Sequence, residues 1–291
     1  MAITIHRAVV ADTQTLTPGM IRVVLDVADY PGTGVGDEYV RLFFPSPGRT
    51  EPVLPKPSGN SWAYDDGAEP SPMRTYTIRS ADPAAGTVAI DFVVHDGGVA
   101  AAWARAAKTG DAIGLTSPTG LYDPPPGTAW QLLFTDAPGL PAAARIVEQT
   151  RPGLKTRVIA EIGDPSHAYP IPEHPDCELT WVHGGNGHGG SHLDALVRQT
   201  PLPEGTGYIW FAGESAAMRS VRKYLRHELG LPGTAYKTVG YWTTKAEALE
   251  KAWRELDDDT KRRLREMWDD DTRDEEEITD EYHEQLDRLG L

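Results

Sequence analysis

Apolar and polar positions alternate in short runs through the first part of the chain, and a longer helical period enters only after residue 123. Alternation with a period of two puts successive side chains on opposite faces of a strand. It predicts strands over 20–27, 39–44, 74–80, 87–95 and 111–116, punctuated by Gly, Pro and Asp, which together read as an antiparallel barrel. One alanine-rich helix, 100–107, interrupts them, and the Pro/Gly/Ser-rich segment 45–72 reads as a long surface loop beside a ligand.

Asp123-Pro124-Pro125-Pro126-Gly127 marks a boundary, because three consecutive prolines neither extend a strand nor lie inside a helix. Beyond it, strands at 130–134, 156–161, 179–182, 208–212 and 236–241 alternate with helices at 140–148, 192–198 and 216–229, the pattern of a parallel sheet. After Thr243, Leu249, Trp253 and Leu256 fall at helical spacing, and Leu264, Met267 and Trp268 continue the stripe. The expected organisation is a barrel domain over 1–123, an α/β domain over 124–242 and a helical acidic extension over 243–291. A barrel followed by a parallel sheet is the plan of ferredoxin reductase-like flavoenzymes.

Charge narrows the function. The 291 residues carry a formal net charge of −15, which argues against a nucleic-acid partner. About two thirds of that charge lies beyond Lys245, in runs such as Asp257-Asp258-Asp259 and Asp274-Glu275-Glu276-Glu277, so the body before it has room for a basic pocket. The single cysteine, Cys177, excludes an intrachain disulfide and a cysteine-based metal centre. No run approaches the ~20 apolar residues of a membrane helix, and the N-terminus lacks a signal-peptide pattern, so a cytoplasmic location is expected.

The densest chemistry lies in Arg74-Thr75-Tyr76-Thr77-Ile78-Arg79. On a strand, Arg74, Tyr76 and Ile78 share one face while Thr75, Thr77 and Arg79 share the other. A fixed cation, an aromatic with a hydroxyl and a small hydrogen-bonding residue match what a flavin nucleotide needs at its phosphate, ring face and ring edge. Downstream, Asp91-Phe92-Val93-Val94-His95-Asp96-Gly97-Gly98 runs from a strand through a glycine turn into a helix N-terminus, an arrangement suited to phosphate.

These segments, with Ala101-Ala102-Trp103-Ala104, Leu140-Pro141-Ala142-Ala143, Trp210-Phe211-Ala212-Gly213-Glu214 and Gly240-Tyr241-Trp242, resemble the siderophore-interacting protein family in order and spacing. The resemblance implies an FAD-dependent ferric-siderophore reductase with a flavin barrel and a nicotinamide-binding domain. Arg74, Tyr76 and Thr77 would hold the flavin and its phosphate arm. Asp91, Val94 and His95 would line the path to the adenosine half, and Ala101, Ala102 and Trp103 would meet the pyrophosphate. Gly213 and Glu214 would receive the nicotinamide of NADH or NADPH, and Tyr241 and Trp242 would lie near the flavin's far face. The chain departs from the family at Gly97-Gly98-Val99, one residue short, and at Thr135-Asp136-Ala137-Pro138. There it retains only Asp136 of the usual Gly-Asp-Glu-Thr, which bears on the flavin edge.

Ferric siderophores hold Fe(III) through hard oxygen donors, so reduction releases the metal, and a flavin passes electrons singly to iron. The reaction then needs no catalytic side chain and no protein metal ligand, only cations beside the flavin for an anionic chelate. Arg41, where the family tends to place lysine, is the first candidate, followed by Arg49, Lys56, Arg145 and Lys245. The glycine-rich loop 183–192, with three histidines, is expected to be a flexible border of the nucleotide cleft rather than a metal site. Glu161 and Asp164, after the second strand of the α/β domain, suggest a preference for NADH through ribose contacts. Two alternatives stand beside the reductase: a flavoenzyme that exchanges electrons with ferredoxin or another carrier, and a non-catalytic ferric-siderophore-binding protein.

Overall fold

The computed structural model describes residues 3–58, 61–185, 190–244, 249, 252–253, 255–267 and 275–289. Six antiparallel strands close a barrel in the spatial order β1 (Ile5–Thr17), β2 (Met20–Asp26), β7 (Thr87–Val93), β6 (Met73–Asp82), β3 (Tyr39–Phe43) and β8 (Ala112–Thr116). Alternate residues point inward, so Val23, Leu25, Val40, Leu42, Ile78, Ile90, Phe92, Ile113 and Leu115 form one core. Helix α1 (Val99–Ala106) contributes Ala100 and Ala104 to it.

Two elements differ from the expectation. Strand β1 was not legible, because a register shift between Val10 and Asp12 and an exposed polar stretch beyond it interrupt the alternation. The segment 45–72 is not wholly irregular: β4 (Lys56–Ser58) pairs with β5 (Ser61–Ala63), opposing Pro57 to Trp62. Trp62 meets Phe43 edge-on, with ring centroids 6.0 Å apart, giving this short ribbon an apolar anchor on the barrel.

Five parallel strands follow, in the order β11 (Cys177–His183), β10 (Lys155–Ile162), β9 (Trp130–Asp136), β12 (Gly207–Glu214) and β13 (Tyr236–Trp242). Every residue of the central strand β9 is buried, as a strand covered on both faces requires. Helix α2 (Leu140–Gln149) packs on one face over Leu133, Val158 and Trp210. Helices α3 (Leu193–Gln199) and α4 (Ser215–Lys223) pack on the other over Leu132, Phe134 and Phe211. The helix expected over 216–229 ends in a wider π-type turn, Tyr224–Glu228, which seats Leu225 in the core.

The chain divides into two compact units, Met1–Trp242 and Thr243–Leu291, and the first contains both barrel and sheet. Within the first unit, polar groups cross between barrel and sheet domain. Asp37, buried before β3, accepts from the backbone N–H groups of Leu121 and Tyr122 at 2.8 and 2.7 Å and from the Trp210 indole at 3.0 Å. Arg79 donates to Glu148 on α2 at 2.9 and 2.6 Å and to Tyr169 at 3.1 Å. Arg145 pairs with the fully buried Glu38 at 2.6 Å and donates to the Ile78 carbonyl at 2.9 Å. In the second unit, helices Asp258–Glu266 and Glu275–Arg288 bury Leu264 and Ile278. No helix among the described residues is long and apolar enough to cross a membrane.

Candidate functional site

The strand order of the parallel sheet reverses between β9 and β12, and their carboxyl ends, Asp136 and Gly213-Glu214, lie side by side. Crevices at such switch points bind ligands in open α/β sheets. Here the barrel walls the crevice: Thr77 Oγ1 on β6 donates to the Tyr241 hydroxyl on β13 at 3.2 Å. The next residue, Trp242, donates its indole N–H to Asp136 Oδ2 at 2.7 Å. Thr77, Asp136, Tyr241 and Trp242 are thus linked across the barrel and both sides of the switch.

Asp136 is fully buried. Burial pushes its carboxyl up to about 7, Glu161 adds to the rise, and the Trp242 N–H opposes it. Its Oδ1 has no hydrogen-bond partner. Gly213 sits close alongside: a Cβ there would stand 3.2 Å from Asp136 Oδ2 and from Leu193 Cδ1, so those side chains would have to give by a few tenths of an ångström. Thr135 turns away, its Oγ1 bonded to the Asp136 carbonyl at 3.0 Å. Glu214 caps α4, accepting from the N–H groups of Ala216 and Ala217 at 2.5 and 3.0 Å.

On the barrel side, Met73, Arg74 and Thr75 are exposed although β6 lies between β7 and β3. That leaves a bare shelf beside Thr77. Tyr76 lies against Phe92, tilted by 41° with ring centroids 4.4 Å apart, and burial pushes its phenol up. Gly97 and Gly98 have φ of 88° and 80°, and α1 begins after them with no side-chain cap and no acid in its first turn. An exposed arginine at the barrel mouth, an uncapped helix start, an aromatic ring and an orphaned buried acceptor fit a dinucleotide whose phosphates and polar ring edge need those partners.

Other expected residues are otherwise engaged. Asp91 is spent on the junction, accepting from Arg22 at 2.7 and 2.8 Å and from Tyr169. Val94 bonds through its N–H to the Gly19 carbonyl at 2.9 Å, and His95 Nδ1 lies 3.1 Å from the Asp96 carbonyl. Ala101 is buried and Ala102 is exposed. Trp103 packs on Phe44 and Phe92 at 5.5 and 5.7 Å, which places it against the barrel core.

Among the expected substrate cations, Arg145 is buried in its pair with Glu38 and presents no charge to a chelate. Lys56 is exposed and paired with Asp65 at 2.7 Å, Arg49 is exposed, and Lys245 lies outside the described residues. Arg41 sits over Trp62, its guanidinium carbon 5.0 Å from the ring centroid. Trp62 escaped the sequence reading because it sits amid Pro, Gly and Ser. Its signal was a lone tryptophan among turn-forming residues.

Of the two carboxylates on which the expected NADH preference rests, Glu161 is withdrawn into the fold and Asp164 stays exposed. Glu161 is fully buried and accepts from Ser191 Oγ, the His192 N–H and His192 Nδ1 at 2.8, 2.7 and 2.8 Å, so it fastens the glycine-rich loop instead of facing a ribose. Asp164 is engaged with the N–H and hydroxyl of Ser166 at 2.8 and 2.6 Å. Asn186 to Gly189 of that loop lie outside the described residues, and no His/Cys/Asp/Glu cluster suited to a metal occurs among the described ones. Two open clefts of about 600 and 590 Å³ lie around Trp130, Lys155 and Cys177 and around Ile171, His174 and Leu179. They contain none of these residues, and the linked polar groups at the switch point identify the site better than cleft size does.

A closed antiparallel barrel joined to a five-stranded parallel sheet, with a crevice at the switch point, defines the ferredoxin reductase-like class of flavoproteins. A ferredoxin reductase of carbazole 1,9a-dioxygenase shares that fold, with a TM-score of 0.61 at 16% identity over 83% of this chain and 70% of its own. Family models describe residues 9–122 as a siderophore-interacting FAD-binding domain and residues 128–245 as a siderophore-interacting protein. The chain belongs to the siderophore-interacting protein family, and its cofactor is FAD. It is 30% identical to the NADPH-dependent ferric-chelate reductase of Escherichia coli strain K12 over 237 residues, 80% of this chain and 90% of that protein. The crystal structure of a siderophore utilization protein from T. fusca matches with a TM-score of 0.75 and 30% identity, covering 84% of this chain and 94% of its own.

Proposed function

We propose that this protein is an oxidoreductase that passes electrons from NADPH or NADH, through FAD, to Fe(III) held in a siderophore. The observation that carries the reading is the linkage of Thr77 to Tyr241 and of Asp136 to Trp242, which brings a flavin-edge hydroxyl from the barrel to the switch point of the sheet. Arg74 and the start of α1 would neutralise the pyrophosphate, Tyr76 would supply a flat surface, and Thr77 a hydrogen bond at the ring edge. Gly213 would leave room for the nicotinamide, while Tyr241 and Trp242 keep water from the crevice. Bound FAD supplies hydride acceptance and single-electron transfer. The chain's remaining task is to hold the ferric chelate near the exposed shelf of β6, with no proton transfer to the iron or its ligands. The E. coli relative bears an NADPH-dependent name, and Glu161 is no obstacle to a 2′-phosphate.

The test is the visible spectrum of the purified protein during anaerobic addition of NADPH or NADH and then a ferric chelate. Bleaching by the dinucleotide, recovery with the chelate, and Fe(II) captured by a chromogenic trap are expected. A bound flavin that neither dinucleotide bleaches would defeat the reading.

A further inference from the structure

Asp136 and Glu161 are register partners on the adjacent strands β9 and β10, at the carboxyl end of the sheet, and both are fully buried. Two carboxylates enclosed side by side do not both carry charge without cost. Their donors are divided unequally. Glu161 is met by Ser191 Oγ, the His192 N–H and His192 Nδ1 at 2.8, 2.7 and 2.8 Å. Asp136 accepts the Trp242 indole N–H at Oδ2, and its Oδ1 has no partner. Around it, Glu214 on β12 is engaged with the N–H groups of Ala216 and Ala217, Tyr241 and Trp242 close in from β13, and His192 ahead of α3 is bound to Glu161. Asp136 is thus the member of the pair that holds a proton, titrating at about 7. It is also joined to the flavin side of the crevice, because Trp242 follows Tyr241, which accepts from Thr77 on the barrel.

Building on the reductase reading, in which FAD lies beside Thr77, we infer that Asp136 takes up one proton from solvent when the flavin is reduced and returns it when the electrons pass to iron. Hydride transfer from the dinucleotide carries two electrons and one proton and adds one negative charge to the crevice. An enclosed crevice screens that charge poorly, so it acts on Asp136 without contact and favours the neutral carboxyl. One O–H bond forms on the carboxylate. Two single-electron transfers to two Fe(III) then restore the oxidised flavin, release the hydride's proton and let Asp136 ionise again. The borrowed proton cancels over the cycle: one reduced dinucleotide and two Fe(III) give the oxidised dinucleotide, two Fe(II) and one proton. Neither the iron nor its chelator has to supply or accept it.

The test is the flavin midpoint potential as a function of pH, with the potential set by an electrode and mediators and no dinucleotide or chelate present. Above about pH 7 the wild-type slope is expected to rise from one proton per two electrons towards two. Asp136→Asn, neutral at every pH, is expected to keep one, about half the wild-type slope. Glu161→Gln removes the neighbouring charge, so its steep range is expected to begin at lower pH. Redox-difference infrared spectra of the wild type at about pH 8 are expected to gain the carbonyl stretch of a protonated carboxyl on reduction, a band missing from Asp136→Asn. Equal slopes in wild type and Asp136→Asn, or no such band in the wild type, overturn proton uptake by Asp136 and leave the reductase reading standing. Should Asp136→Asn fail to hold FAD, a steep range that Glu161→Gln does not move overturns it equally. A flavin reduced by the electrode but by neither dinucleotide defeats the reductase reading alone.

Discussion

The indole N–H of Trp242 reaches Asp136 Oδ2 over 2.7 Å, joining the ends of β13 and β9 across the intervening β12. That bond opposes, without cancelling, the burial that raises Asp136 from an ordinary 3.8 to about 7. In the unfolded chain the carboxyl ionises near its ordinary value, so between those values the folded state binds more protons. Stability attributable to this group therefore falls as pH rises from about 4 to about 7, by up to ~1.4 kcal/mol per unit, and is level above. Asp136→Asn is expected to melt higher than wild type at pH 8 and to lose that advantage by pH 4.5. Calorimetric scans across this range check it, and a pH-independent difference would contradict the assignment.

Arg145 and Glu38 make a buried pair, so removing one partner is more harmful than removing both. Arg145→Leu alone is expected to cost about 3–5 kcal/mol, because Glu38 is left charged and enclosed. Glu38→Leu combined with Arg145→Leu is expected to recover much of the loss. Urea unfolding of the two single variants and the double variant measures the coupling.

On the function proposed above, Arg74 serves the phosphates of FAD and not its ring. Arg74→Ala is expected to weaken FAD by about tenfold to a hundredfold, the worth of a hydrogen bond to a charged group. Riboflavin, which carries no phosphate, should bind the variant and the wild type alike. Quenching of flavin fluorescence on titration reads both.

Gly98 begins α1 at φ 80°, and a Cβ there would stand 3.2 Å from His95 Cε1. Gly98→Ala is expected to cost about 1–2 kcal/mol. Gly233 has an ordinary φ and nothing within 4 Å of a Cβ, so Gly233→Ala serves as a neutral comparison within about 0.5 kcal/mol. Chemical denaturation of the two variants distinguishes strain at the turn from a general cost of replacing glycine.

Strand identity in the body of the chain could be read locally, because β7 and β9 are continuous buried runs bounded by turn residues and β2 buries Met20, Val23 and Leu25. Arg74, Tyr76 and Thr77 were legible for the same reason: their spacing on one strand fixes their faces. What long-range pairing decides was not legible. Glu161 follows a strand as ribose-binding carboxylates do, yet its partners Ser191 and His192 are set by how a loop returns thirty residues later. Arg145 reads as any helix cation until Glu38, more than a hundred residues earlier, folds against it. Trp62 became meaningful only when the β4–β5 pairing brought it over Arg41.

Asp37 touches three parts of the molecule with one side chain: its own position ahead of β3, the segment that leaves the barrel at Leu121 and Tyr122, and the centre of β12 through Trp210. Melting the barrel would leave the Trp210 indole without its acceptor inside the sheet, and melting the sheet would leave an Asp37 oxygen buried without its donor. Neither half can be lost cheaply while the other persists. Residues 1–242 are therefore expected to unfold as a single cooperative unit with one calorimetric transition, and cleavage of the Pro124-Pro125-Pro126 connection is expected to yield two pieces that stay associated.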